Sequence, residues 1–321
     1  MITVLKPGLL TTVQDAGRPG YRAFGMPVAG AMDRLSLALA NALAGNPPAA
    51  AALELTLLGG SFRFEEDGHA ALCGADMQAR LAGSPVGPCA GFPVRAGEEL
   101  VLGGARAGVR AYLAVRGGID VPAVLGSRST YARAGIGGFE GRALKAGDAL
   151  PVGRARGAPP AARSLPPSLA PPLGGAIRLR AIPGPQDQLF TAVGRAIFFG
   201  SEFRITNRND RMGYQLDGPT IQHVHGPDIV SDALLPGAVQ VPGSGTPIVM
   251  TADAQTTGGY AKIATVIGPD LRLLAQARAG DAVRFESCTP EEAVAALREE
   301  RRVVDEAGGR GAAEGRRRRK A

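Results

Sequence analysis

Ten consecutive residues, 253-DAQTTGGYAK-262, carry an acid, an amide, two hydroxyls, two glycines, a phenol and a lysine. Such a set can hold a small charged molecule. Thr256 and Thr257 offer hydroxyls, Gly258 and Gly259 offer backbone N–H groups of the kind that line anion-binding concavities, and Lys262 adds positive charge. Asp253 can orient a water or take a proton. A hairpin turn needs only about two or three polar residues, so the density favours a binding or catalytic loop, with Gln240, Gln255 and Tyr260 as further binding candidates. Two other stretches have related chemistry. In 8-GLLTTVQDAGRPGYRAFGMPVAGAMD-33, Gln14, Asp15 and Arg18 stand among glycines, which let a backbone approach a ligand closely. An acid and an arginine three apart either pair across a turn or hold a substrate's amine and carboxylate. In 207-NRNDRMGYQLDG-218, Arg211 can grip a carboxylate or phosphate and Tyr214 can donate from its hydroxyl; a tight polar turn is the alternative.

The elements that must position these residues are mostly strands. AIRLRAI (176–182) alternates, and LELTL (53–57), SFRF (61–64), VRAYLAV (109–115), EFRIT (202–206), TPIVMTA (246–252) and KIATVI (262–267) also read as strands. The segment 33-DRLSLALANALAG-45 predicts a helix capped by Asp33 and ended by Gly45. Residues 290–306 predict a terminal helix with Thr289 as cap, Pro290 at its first position and acids in its first turn. Residues 152–175, rich in Pro, Ala and Gly, predict a connection between a β-rich segment 1–151 and a second one, 176–289. An Ala-Gly-Asp/Glu turn recurs in both, at 96–98, 146–148 and 279–281.

Composition narrows the function classes. The net charge of +7 is uneven: in residues 307–321, Arg310, Arg316 to Arg319 and Lys320 face only Glu314, so this segment carries +5 and the rest +2. The basic character therefore belongs to a Gly/Ala/Arg tail expected to be a disordered, solvated extension, with an anion-binding or targeting arm as the alternative, and not to a nucleic-acid-binding face. Tryptophan is absent and aromatics are few, which leaves no evident stacking platform. Three cysteines, none in a CxxC, argue against a disulfide framework and for a reducing compartment. No run reaches membrane-span length, so a soluble cytoplasmic protein with no membrane partner is expected. There is no P-loop, no dinucleotide fingerprint, no nucleophile elbow and no Met-Lys-Met for biotin attachment. His223 and His225 in QHVHG could share a strand face, but without a third ligand nearby no metal site is expected.

Taken together, TTVQDAGRPGY, GMPVAGAMDR, GSRSTY, GIGGFEGRAL, DRMGYQLDG and SDALLPGAVQVPGSGTPIVMTADAQTTGGYAKIATVI resemble the 5-oxoprolinase C-subunit family, also known as allophanate hydrolase subunit 2 or the biotin-dependent carboxyltransferase A/B domain. The resemblance runs from about residue 2 to residue 287; the basic tail has no counterpart. It implies a mainly β fold with two cyclophilin-like β-barrel subdomains. It also implies work beside the KipI-like B subunit and the A subunit of 5-oxoprolinase, opening 5-oxo-L-proline to L-glutamate with ATP and Mg supplied at the complex. Two further roles are open: biotin-dependent carboxyl transfer to a urea-like amide, with biotin on another domain, and non-catalytic binding of a KipI-like inhibitor. Lactam opening needs donors for charge on oxygen and a grip on the substrate carboxylate. Arg18, Arg211 and Lys262 suit the first need, Asp15 or Asp253 suits a base, and Gln14, Tyr214 and the 255–260 segment suit substrate binding.

Overall fold

The computed structural model describes residues 1–309 and divides them into two units: 1–18, 33–173 and the chain from 299 on form the first, 19–32 and 174–298 the second. A short N-terminal stretch thus belongs to the second unit. The basic tail, from residue 310, lies outside the described residues.

The first unit contains β1 (Ile2–Lys6), β2 (Leu10–Gln14), helix α1 (Arg34–Ala44), β3 (Ala52–Thr56), β4 (Ser61–Phe64), β5 (Gly68–Asp76), β6 (Arg80–Leu81), β7 (Ser84–Pro85), β8 (Ala90–Val94), β9 (Glu99–Val101), β10 (Ala107–Val115), β11 (Ala149–Leu150) and β12 (Arg163–Ser164). They form two six-stranded sheets, ordered β11-β1-β4-β9-β6-β7 and β12-β8-β5-β10-β3-β2. The sheets share one core: Ile2, Val4, Phe62 and Leu100 from one meet Leu53, Leu55, Leu72, Ala111 and Leu113 from the other. Strand alternation sends Glu54, Arg110 and Tyr112 to the opposite face, which α1 covers. Asp33 caps α1 by accepting from Ser36 N at 2.9 Å and Ser36 Oγ at 2.7 Å. Its own N–H donates to Tyr112 Oη (2.8 Å), and Tyr112 donates to Glu54 Oε2 (2.7 Å), so the helix start is tied to two strands.

Residues 152–173 are no free linker. Arg116 donates to the carbonyls of Arg156, Gly157 and Ala158 at 2.5–2.8 Å, and β12 pairs with β8. The cysteine reading also needs correction. Cys73 ends up beside Cys89 because β5 and β8 pair with Leu72 opposite Ala90, and the two form a disulfide, leaving Cys288 as the free thiol. An odd count never excluded one pair, and the cysteines give no support to a reducing compartment.

In the second unit, β13 (Ile177–Pro183), helix α2 (Ala192–Gly200), β14 (Glu202–Asn209), β15 (Gly213–Asp217), β16 (Asp228–Ala233), β17 (Ala238–Gln240), β18 (Ile248–Met250), β19 (Thr257–Tyr260), β20 (Lys262–Val266), helix α3 (Leu271–Ala275) and β21 (Ala282–Ser287) follow in order. Seven strands close a barrel, β13-β20-β17-β18-β15-β14-β21, with β13 and β21 parallel. Leu179, Phe203, Leu216, Val239, Val249, Ile263 and Phe285 fill it, and Phe198 of α2 stacks on Phe285 at 4.2 Å. Strands β16 and β19 form a separate two-stranded ribbon. The final helix, α4 (Pro290–Ala307), opens with a capping box: Glu292 N donates to Thr289 Oγ1 (3.2 Å) and Thr289 N to Glu292 Oε2 (2.8 Å). The chain is mainly β with few helices, as its sequence leads one to expect. The recurring Ala-Gly-acid turns share one device: glycine at positive φ (Gly97, Gly147, Gly280) and an acid accepting the N–H three residues back.

Candidate functional site

Asp15 follows β2 directly. Its carboxylate accepts from Gly17 N (2.7 Å), Ser127 Oγ (2.7 Å), Ser129 Oγ (2.5 Å) and Arg128 N (2.6 Å). Three of these donors converge on Oδ1 and one on Oδ2, so the carboxylate is held from four sides within the first unit. Arg18, wholly buried, donates to the Ser129 carbonyl, and Gln14 Nε2 to Thr12 Oγ1 (3.0 Å) and Thr130 O (3.2 Å). Gly137 lies so close that a Cβ there would run into the Ser129 carbonyl. The QDAGR, GSRST and GIGG stretches therefore lock one another in place. Asp15, expected as a base, fastens these loops through four hydrogen bonds.

The other candidates belong to the second unit. Arg211 and Asp253 pair bidentately, Nε to Oδ2 at 2.9 Å and Nη2 to Oδ1 at 3.0 Å, and Nη2 also donates to the Gly30 carbonyl at 2.6 Å. Asp253 is buried and Arg211 partly so. Ala29 N donates to Ala252 O (3.0 Å), and Met32 joins the barrel core, so the pair fastens segment 19–32 to the unit. Arg211, expected as an oxyanion donor, and Asp253, expected as a base, thus neutralise each other.

The stretch 253–262 is not a loop between two barrel strands. Thr257–Tyr260 is β19, pairing with β16 so that Gly258 faces Asp232 and Thr257 faces Ala233. The Thr256 carbonyl accepts from Leu234 N (2.9 Å). A Cβ on Gly258 would come within 2.6 Å of Leu234 and 2.7 Å of Gln240 Nε2, so glycine allows the ribbon to lie against the barrel. Gly259 and Thr257 lie along the ribbon, Thr257 exposed. Lys262 begins β20, where its Cα stands opposite Gln240 of β17. Its ammonium is almost wholly buried and donates to Asp232 Oδ2 (2.6 Å) and Ala233 O (3.1 Å). Gln186 completes the knot: its Nε2 donates to Asp232 Oδ2 (3.2 Å) and its Oε1 accepts from Lys262 N (3.3 Å). The Lys262 hydrogen bond, then those from Ala233 N and Gln186, hold the Asp232 carboxyl below its usual range.

Beside the ribbon is an open cleft of about 510 Å³. Gln240, Gln255 and Tyr260 line it, with Asn207, Arg208, Asn209, Asp210 and Gln215 as further polar walls. Tyr214 does not; it is 1% exposed, within the barrel core. The reason is the period of two: Tyr214 and Leu216 point inward while Gly213 and Gln215 face the cleft. That alternation, readable in GYQL, is the signal that would have selected Gln215 over Tyr214. Gln215 Oε1 is shielded from solvent and accepts no hydrogen bond within the described residues.

Comparison with known proteins agrees with the fold. The family model described as "Carboxyltransferase domain, subdomain A and B" matches residues 24–287. The chain is 42% identical over 306 residues to the Escherichia coli protein named as the C subunit of 5-oxoprolinase, covering 95% of this chain and 97% of that one. The Haemophilus influenzae protein of the same name is 40% identical, covering 95% and 99%. Among solved structures, the K. lactis urea amidolyase superposes with a TM-score of 0.90 at 31% identity over 95% of this chain, which spans 20% of that larger one. On this agreement of motifs, fold and near-complete overlap, the chain belongs to the carboxyltransferase A/B domain family.

Proposed function

We propose that the chain is the C subunit of an ATP-dependent 5-oxoprolinase, opening 5-oxo-L-proline to L-glutamate in the cytoplasm together with the KipI-like B subunit and the A subunit. The observation that most supports this reading is the two-way overlap of 95% and 97% with a protein named for that role. The cleft of the second unit supports it chemically. A lactam presents one N–H and one carbonyl, and the Gln215 side chain on the cleft wall carries one acceptor and one donor group to match them. Gln240 and Tyr260 stand on the same wall.

A lactam resists water through amide resonance, and ATP would supply the phosphoryl group that makes its ring carbon electrophilic. The residues of this chain do not fit a cradle for that nucleotide. The sequence has no P-loop, Arg211 already holds the buried Asp253 carboxylate, and among the described residues no group of three His, Cys, Asp or Glu gathers as metal ligands. In this reading ATP and Mg sit on a partner protein of the complex, and this chain binds and orients the ring. The test is reconstitution of the chain with the A and B subunits, measuring glutamate formed from 5-oxo-L-proline and ATP. A complete, folded complex without turnover overturns the reading. Gln215→Leu should raise KM for 5-oxo-L-proline about tenfold with kcat little changed, as loss of one hydrogen bond common to ground and transition state does.

A second reading, carboxyl transfer from biotin to a urea-like amide, draws on the 0.90 superposition with urea amidolyase. Biotin would then arrive on another domain. Carboxylated urea formed in place of glutamate, when a carboxybiotin donor is supplied, would favour it.

A further inference from the structure

Lys262 and Asp232 are unequal partners. The lysine side chain is 4% exposed and the aspartate 49% exposed, and they meet at 2.6 Å. Of the two acceptors on the ammonium, the Ala233 carbonyl is backbone and the Asp232 carboxylate faces solvent. An ammonium has three protons, so one is still available for a ligand. Asp232 lies on the ribbon β16–β19, which pairs with no other strand. Two strands alone are marginal. The ribbon is held by Leu234 in a small apolar cluster, by the Leu234 N to Thr256 O bond, and by the Lys262 knot. Glycines at positive φ, Gly226 and Gly237, bracket β16. Its register slips between Asp228 and Asp232, and Val230 there is 93% exposed. Tyr260 of the ribbon and Gln240, whose Cα stands opposite Lys262, line the cleft, while Lys262, Asp232 and Gln186 lie behind that wall.

We propose that Asp232 is a built-in stand-in for a ligand carboxylate: a small carboxylate entering the cleft replaces Asp232 on the Lys262 ammonium and thereby releases the β16–β19 ribbon. The exchange is charge-neutral, one carboxylate for another, and no bond is broken except hydrogen bonds. Gln186 accompanies it, because its amide already bridges Asp232 and the Lys262 backbone. Asp232 thus competes with substrate and sets a threshold for binding. That 5-oxo-L-proline supplies the carboxylate rests on the proposed function; the seat itself does not.

The chain has no tryptophan, so Val230→Trp places a single emitting group on the ribbon. In the full chain this variant is titrated with 5-oxo-L-proline, with pyrrolidin-2-one (the same ring without the carboxylate), with glutarate and with inorganic phosphate, with and without Asp232→Asn. The expected result is an emission change with 5-oxo-L-proline, affinity about fivefold tighter in Asp232→Asn because the competitor is gone, and no tightening for pyrrolidin-2-one. Gln186→Leu, which loosens Asp232 without removing a partner of the Lys262 ammonium, should tighten binding in the same direction. Silence with 5-oxo-L-proline but a response to glutarate that Asp232→Asn strengthens would retain the seat and sink the substrate reading. Unchanged or weaker carboxylate binding in both variants, or no response to any of the four compounds, overturns the proposal. Phosphate gaining as much as the carboxylates overturns the assignment to carboxylate.

Discussion

The Tyr112 phenol takes an N–H from Asp33 and gives its proton to Glu54, on a face of the sheet closed to water. Burial first, then the negative charges of Glu54 and Asp33, push its ionisation well above the ordinary tyrosine range. Tyr112→Phe should cost about 1–3 kcal/mol at neutral pH, because the buried Glu54 carboxylate loses one donor and Asp33 N loses its acceptor. The pH dependence has a definite sign. A folded pKa raised above the unfolded one, about 10, stabilises fully below roughly pH 10 and is lost as pH rises through the folded value, since the unfolded chain releases the proton first. The gap between wild type and Tyr112→Phe should therefore narrow from about pH 10 upward, as urea unfolding at about pH 8 and about pH 11 would show. Arg211→Ala should destabilise by about 3–5 kcal/mol, leaving Asp253 buried without its partner; a variant that lost turnover at unchanged stability would restore Arg211 as a catalytic residue. Arg211 and Asp253 were each legible as unusual polar residues. That they cancel one another was not, because 42 residues separate them and neither local string mentions the other.

At the scale of elements, local chemistry was a good guide where it acts locally. The Asp33 cap and the Thr289–Glu292 box lie within one turn of the helices they start, so residues three apart suffice to read them. Strand β5, GHAALCGAD, was harder to read because it is buried on both faces and made of small residues, with no alternation to detect. The polar stretch 253–262 misled for a related reason. Its hydroxyls and glycines look like a loop, but edge-strand pairing with β16 uses its backbone, and Gly258 is required by proximity to Leu234 and Gln240. Gly258→Ala should cost about 1–3 kcal/mol by overpacking. The loss should appear as faster amide exchange over residues 228–233 while the barrel strands stay protected.

At the scale of the whole chain, strands and turns pointed to the fold class, and the Pro/Ala/Gly-rich stretch 152–175 marked where the two units part; that 19–32 belongs to the second unit and 299–309 to the first was not legible, because contacts far along the chain decide it. The disulfide belongs here as well. Closing a 16-residue separation is worth roughly 3 kcal/mol by loop entropy, so Cys73→Ser with Cys89→Ser, or reductant alone, should lower stability to denaturant by about that much. Removing residues 310–321 takes away five net positive charges and should leave turnover of the reconstituted complex unchanged. A cut at 307 is a different experiment, because the Ala307 carbonyl accepts from Arg163 and its side chain is buried. The assignment of residues to units has a consequence for synthesis. The first unit holds residues 1–18 and also those from 299 on, while residues 19–32 await the barrel that follows 174. At roughly 5–20 residues per second on a ribosome, β1 meets its last strand partner, β11, once residue 150 is made, whereas residues 19–32 have no barrel to join until 174–298 follow. This stretch must therefore stay loosely held while the strands on either side of it pair.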